Sequence, residues 1–385
     1  MAILATRGPP CSMRLLVFVS ISLLLVIGLT SRYISQAPTH VLQLDGLQTH
    51  RHDLQEPAKL PFHEVAQICQ DRGFAPFDAS GIRPRRVYDL FLLWKELDWL
   101  EIRLNTLAPY VDYFIIVEEP TTFTGLPKPL YLKNNWDRFA AFHDKIIYKV
   151  VEDPNVAIGS AWEHESFMRN AMLDKVFPDL MGTEKQAQQG DVLLVSDIDE
   201  IPKPETITVL RLCEFPARLT LRSHFYYYSF QWLHHGAEWA HPQATTYKGD
   251  STIRPQDLRM GSGPWGLFFS GAIRAFWQKA DLWDAAWHCS SCFATLEQMK
   301  QKMASFSHKE YNTEKNRESE VVIERVRHGW DLFNRTGQTY DRVNDNQDVP
   351  SWILKNRDKF GYMLDRDGEN AGFVDWAVQS AAQVD

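Results

Sequence analysis

The sequence predicts an α/β domain with a mostly parallel central sheet, preceded by an N-terminal transmembrane helix and a stem. Three observations carry this. Between Arg86 and Cys213, short apolar runs alternate with stretches whose apolar residues recur every three or four positions, the pattern of strands joined by helices. Two of those runs end in clustered carboxylates, Glu118-Glu119 and Asp197-x-Asp199, and parallel sheets bind ligands at the carboxyl ends of their strands. Near the start, Leu15 to Leu29 is almost wholly apolar, and no charge falls between Arg14 and Arg32.

That apolar stretch reads as an uncleaved signal anchor over 15–31, because it is longer than a usual signal h-region and no small-x-small cleavage site follows. Arg7 and Arg14 favour a cytoplasmic tail at 1–14 and a lumenal body. The competing reading is a cleaved signal peptide on a secreted protein. Residues 32–85 are polar, rich in His, Gln, Asp and Pro, and read as a stem. A formal charge of −8 argues against the basic face that nucleic-acid binding requires, while 44% hydrophobic residues suffice for a large core. Thirteen tryptophans are many for 385 residues; flat aromatics stack on sugars, but core burial is their ordinary use.

Cys69, Cys213, Cys289 and Cys292 would all be lumenal, enough for two disulfides in any of three connectivities. Cys289-x-x-Cys292 has half of a zinc-ribbon spacing without the other half. Asn334-Arg335-Thr336 is a glycosylation sequon.

Order is expected from Arg86. Val87 to Trp94 reads as a strand, followed by a helix with Leu97, Leu100, Leu104 and Leu107 on one face and Glu101 and Arg103 on others. Tyr113 to Val117 and Lys145 to Val151 are the next strands, with Trp162 to Phe177 helical after them. Val192 to Val195 is a fourth strand and Pro204 to Cys213 a helix. The second half is more aromatic and irregular: Ala217 to Trp232 is β-prone, and Thr295 to Phe306 and Glu314 to Gly329 read as helices. These halves, 86–215 and 216–375, suit a nucleotide-binding part and an acceptor part, with a tail at 376–385.

The chain is organised around Asp191-Val-Leu-Leu-Val-Ser-Asp-Ile-Asp-Glu-Ile-Pro202. Four apolar residues form a strand buried on both faces, and Pro202 and Pro204 stop further pairing. Between them, Asp197, Asp199 and Glu200 repel one another unless a positive charge intervenes. Hard divalent cations prefer such oxygens and bridge them to substrate phosphates. The bland alternative is a solvated acidic turn capping the next helix.

Residues 191–204 resemble the signature of glycosyltransferase family 17. The likeness extends to Tyr88-Asp89-Leu90-Phe91, to Glu96-Leu97-Asp98 with Leu100-Glu101-Ile102-Arg103-Leu104, and to Phe114 through Glu118 with Thr122 through Leu130. It continues at Glu165-x-Phe167-x-Arg169-Asn170, at Trp287-His288-Cys289-Ser290-x-Cys292-Phe293, and at Ser305-Phe306-x-His308-x-Glu310. The resemblance runs from about 86 to 375 and departs from the family pattern over 233–280. It implies a GT-A-like fold in a single-pass type II Golgi membrane protein. The implied reaction is an inverting, β-1,4-forming transfer of N-acetylglucosamine from UDP-GlcNAc to a mannose of an N-glycan, with Mn²⁺ or Mg²⁺.

On that footing Asp197 and Asp199 hold the ion, with His288 as a third ligand set against a core histidine. Arg169 pairs with the diphosphate, against a simple i,i+4 pair with Glu165. Asn170 belongs to the same substrate-binding block, and Glu118 contacts the uridine. The general base would be a carboxylate: Glu200, Glu238, Asp284 or Glu310. A different class, a lumenal carbohydrate-binding protein that kept the fold without catalysis, remains the second hypothesis.

Overall fold

The computed structural model describes residues 60–78, 83–122, 125–155, 160–262, 278–305 and 313–376. The expected anchor at 15–31, most of the stem, and Glu310 lie outside them. Among the described residues, no helix is long and apolar enough to cross a membrane.

In chain order the principal elements of the first half are α1 (Phe62–Gln70), β1 (Ala75–Pro76), β2 (Val87–Leu92), α2 (Leu97–Leu107), β3 (Tyr113–Glu118), β4 (Ile146–Val150) and α3 (Ala161–Ala171). Next come β5 (Val192–Ser196), β6 (Glu200–Pro202), α4 (Pro204–Leu212) and β7 (Cys213–Glu214). The second half holds β8 (Arg218–Tyr227), β9 (Ser229–His234), β10 (Gln243–Thr246), α5 (Pro255–Arg259), β11 (Lys279–Ser290), α6 (Leu296–Ser305), α7 (Ser319–His328) and β12 (Tyr340–Arg342).

Four of the apolar runs become adjacent parallel strands in the order β5-β2-β3-β4. Their side chains alternate between two cores. Val87, Phe91, Ile116, Val192 and Leu194 pack with Leu100, Leu104 and Leu107 of α2 and with Ile207 and Leu210 of α4. Leu90, Ile115, Val117, Leu193 and Val195 pack on the other face with Met168 of α3 and with Met172 and Val176 just beyond it. Burying each such side chain is worth about 1.5–3 kcal/mol, so both faces demand apolar residues and the strands read as unbroken runs.

Beyond β5 the sheet reverses. β10 lies antiparallel to β5, then β8, β9 and β12 follow antiparallel, while β11 runs parallel along the other edge of β8. The sheet is therefore mixed, not mostly parallel. Only its first half is joined by crossover helices; β8 and β9 form a hairpin, and an antiparallel partner follows from so short a connection.

The expected stem also carries structure. α1 and β1 lie within 32–85, held by the Cys69–Cys213 disulfide and by pairing of β1 with β7. A nine-residue helix fastened by one covalent bond and a few apolar contacts needs no long periodic signal. The second disulfide joins Cys289 to Cys292.

Candidate active site

The acidic turn is built from below. Arg103 of α2, expected on a polar face, is wholly buried. Its guanidinium makes a two-point pair with Asp89 of β2, both contacts at 2.7 Å. The same group donates to Ser196 Oγ and to the backbone carbonyls of Asp197, Ile198 and Glu200. One buried cation thus gathers three carbonyls at the end of β5 and the start of β6, and fixes the shape of the turn between them. Spacing alone places Arg103 off the apolar stripe; only the buried Asp89 explains its position.

Above this base the three carboxylates part company. Asp197 accepts from Arg169 of α3 through Oδ1 (2.9 Å) and from Arg259 of α5 through Oδ2. Burial would raise its pKa, but Arg259 and Arg169 override that and hold it far below the usual range. Glu200 is wholly buried; both its oxygens accept from Arg259 (2.8 and 2.9 Å), one from the Trp239 indole (2.8 Å), the other from the Asp197 amide (2.8 Å). Asp199 differs. Its carboxylate makes no hydrogen bond among the described residues. Burial and its acidic neighbours push its pKa up to about 6, against the pull of His288 and Lys302.

His288 reaches Asp199 because β6 pairs antiparallel with β11 in a register that sets His288 opposite Glu200. Nε2 lies 3.8 Å from Asp199 Oδ2, the ring stacks on Phe225 (centroids 4.9 Å apart), and Nδ1 is buried without a hydrogen-bond partner among the described residues. An unbonded carboxylate beside an imidazole is a donor set that fits a divalent ion with nitrogen and oxygen ligands. Asp197 contributes less to such a site than expected, since each of its oxygens already holds a guanidinium.

Several expected residues lie elsewhere or serve the scaffold. Glu118 is wholly buried, accepting from the Tyr148 hydroxyl (2.7 Å) and the Leu132 amide (3.2 Å), so it anchors the loop after β3. Its neighbour Glu119 pairs with His164, which also holds Asp153. Arg169 makes the i,i+4 pair with Glu165 at 2.6 Å and also bonds Asp197. Asn170 accepts from the Gln256 amide and ties α3 to α5. Asn334 is exposed.

Asp284 and Glu238 belong to a different cluster. His224 pairs with Trp287 across β8 and β11, one residue out of step with Phe225 and His288, and so points to the opposite face. There His224, Asp284 and Asp348 offer ligand atoms within 4.8 Å of one another. Lys203 Nζ already lies 2.5 Å from Asp284 and 2.8 Å from Asp348, and Glu238 sits 3.6 Å from His224. An ammonium compensates these acids, so the cluster needs no metal.

Arg259, Trp239, His241 and Lys302 were not legible as site residues. The first three come from 233–280, where no periodicity or motif marks them. Burial, then the nearby Arg259, lowers His241 to about 4, keeping it neutral beside the arginines. Burial lowers the pKa of Lys302 of α6, but the charges of Glu96, Asp199, Asp197 and Glu165 raise it above its ordinary value.

The sequence profile described as Glycosyltransferase family 17 matches residues 13–261 and 275–369. The chain is 25% identical over 304 residues to the beta-1,4-mannosyl-glycoprotein 4-beta-N-acetylglucosaminyltransferase of Homo sapiens, covering 73% of this chain and 55% of that protein. The proteins of the same name from Rattus norvegicus and Mus musculus are 25% and 24% identical, with the same coverage. The chain spans about half the length of the curated relatives it matches.

Proposed function

Since the chain belongs to glycosyltransferase family 17, we propose that it transfers N-acetylglucosamine from UDP-GlcNAc to a mannose of an N-glycan, forming a β-1,4 linkage with inversion. We place it in the Golgi lumen, tethered by the anchor at 15–31. The observation that carries the reading is the division of labour in the turn. Two carboxylates are neutralised by arginines, and among the described residues Asp199 has no hydrogen bond and lies next to His288.

Asp199 and His288 would hold the divalent ion, Mn²⁺ in preference to Mg²⁺ because imidazole suits the softer metal. When bound, that ion supplies Lewis-acid compensation for the charge gathering on the departing diphosphate. The chain's own residues do the rest. Arg169, whose Nε makes no hydrogen bond among the described residues, and Lys302 bring positive charge to the same end of the sheet. Arg259 and Arg169 keep Asp197 ionised and fixed. Glu200, with its oxygens committed to Arg259 and Trp239, orients those side chains instead of taking the acceptor's proton.

Incubating the chain with UDP-GlcNAc, Mn²⁺ and a mannose-bearing N-glycan oligosaccharide should add one N-acetylhexosamine by mass. No product from any member of a UDP-sugar panel would overturn the reading. In His288→Gln, the Mn²⁺ concentration for half-maximal rate should rise by about tenfold, within the range seen for weakened metal sites. An unaltered Mn²⁺ titration would make His288 a packing partner of Phe225 only.

A further inference from the structure

Among the described residues, Trp162, Trp239, Trp283 and Trp330 are exposed tryptophans. Trp283 lies under the Arg222 guanidinium and Trp330 stacks with His328. Trp239 alone of the four donates a hydrogen bond into the acidic turn, and it is held there at every point. Its backbone exchanges two hydrogen bonds with Ser223 of β8, at 2.9 and 3.0 Å. Its indole N–H is spent on Glu200 Oε1. Its ring packs beside His288 (centroids 5.1 Å), Phe225 (5.7 Å) and, edge to face, His241 (5.4 Å). Even so, 37% of the residue stays exposed.

From this we infer that Trp239 is the platform on which the acceptor sugar stacks. The inference rests on reading the turn as the donor site. An indole whose only polar atom is already bonded has only apolar ring surface left to offer, and ring surface left in water gains free energy when apolar surface covers it. The axial C–H groups of a pyranose supply such surface, while the hydroxyl groups at the ring edge stay solvated or reach polar neighbours. The ring is immobilised before the ligand arrives, so little conformational entropy is lost on binding. Its position suits an acceptor, because His288 touches both the indole and Asp199. A sugar on the indole therefore sits next to the group that would hold the donor diphosphate. Trp239 acts by binding and orienting; it takes no part in proton transfer.

The test separates the flat ring from the N–H bond. Binding of a free mannose-terminated N-glycan oligosaccharide is measured by calorimetry in the presence of UDP and Mn²⁺, for the unaltered chain, Trp239→Phe and Trp239→Leu. The melting shift caused by UDP is recorded for each. Trp239→Phe keeps a ring and should bind within about threefold of the unaltered chain; Trp239→Leu should bind on the order of tenfold or more weakly, as for a truncated tryptophan anchor. The UDP-dependent melting shift should be the same in all three. Equal binding by all three, no binding by the unaltered chain, or equal losses in both variants would overturn the assignment, the last by tracing the effect to the Glu200 hydrogen bond. A loss confined to the UDP shift would do so too. A missing UDP shift in the unaltered chain would instead refute the donor reading, whatever the oligosaccharide does.

Discussion

Asp199→Asn should reduce sugar transfer by at least about a thousandfold, the scale on which loss of transition-state charge compensation acts, while leaving the metal-free fold at least as stable as before. The second half of this expectation follows from the carboxylate's surroundings. Burial and the neighbouring Asp197 and Glu200 raise Asp199 from 3.8 to about 6. A carboxyl whose folded pKa lies above its unfolded value stabilises the protein relative to its ionised form only while it stays protonated. That contribution is fully present below about pH 4 and is lost as the pH rises through about 6. In metal-free buffer the variant should therefore melt with the unaltered chain at pH 4 and above it at pH 7.5, by roughly 1–3 kcal/mol in free energy. Thermal melts across that range, with transfer assays at pH 7.5, check both halves. A destabilised variant would mean that Asp199 supports the fold, and the loss of transfer would then say nothing about a ligand.

Arg103→Ala should have the largest effect on stability. Removing the guanidinium leaves the Asp89 carboxylate buried beneath the sheet with neither of its 2.7 Å contacts, and breaking such a pair typically costs about 3–5 kcal/mol. It also removes the cation that the turn carbonyls of Asp197, Ile198 and Glu200 share. A fall in melting temperature on the order of 10 °C is expected for a domain of this size. Converting both partners, as Arg103→Met with Asp89→Leu, should recover part of the stability but not the transfer rate, because the turn carbonyls stay without their shared cation. Equal melting of Arg103→Ala and the unaltered chain would show that the turn holds its own shape.

The contrast between these two residues explains how much could be read from sequence. The strands β2, β3, β4 and β5 are legible because burial on both faces forces unbroken apolar runs, and the proline-closed acidic turn stands out against them. Asp199 and His288 come within 3.8 Å of each other because the β6–β11 register brings His288 to the turn from a distant part of the chain that no local pattern spans, and only the family likeness pointed there; both oxygens of Asp197 are held by arginines instead. Arg103 is not legible. Its spacing says polar face, and its buried partner Asp89 lies on another element. β10 is missed for a similar reason: Gln243-Ala-Thr-Thr246 is buried between β5 and β8 yet carries no apolar run, since its polar side chains find partners such as Ala217 and Ala240 carbonyls. The antiparallel half of the sheet follows from that strand. Trp239 sits in a connection and Arg259 at the end of the five-residue α5, both too short for periodicity, where the surroundings that make them matter come entirely from tertiary structure.

The central claim is that Asp199 and an ion together form the donor site, and thermal melting tests it most directly. UDP and Mn²⁺ added together should raise the melting temperature of the unaltered chain by more than the sum of their separate shifts; a ligand at a hundred times its Kd adds about 2.7 kcal/mol. In Asp199→Asn that excess should vanish. A full UDP shift without any divalent ion, retained in Asp199→Asn, would contradict the account.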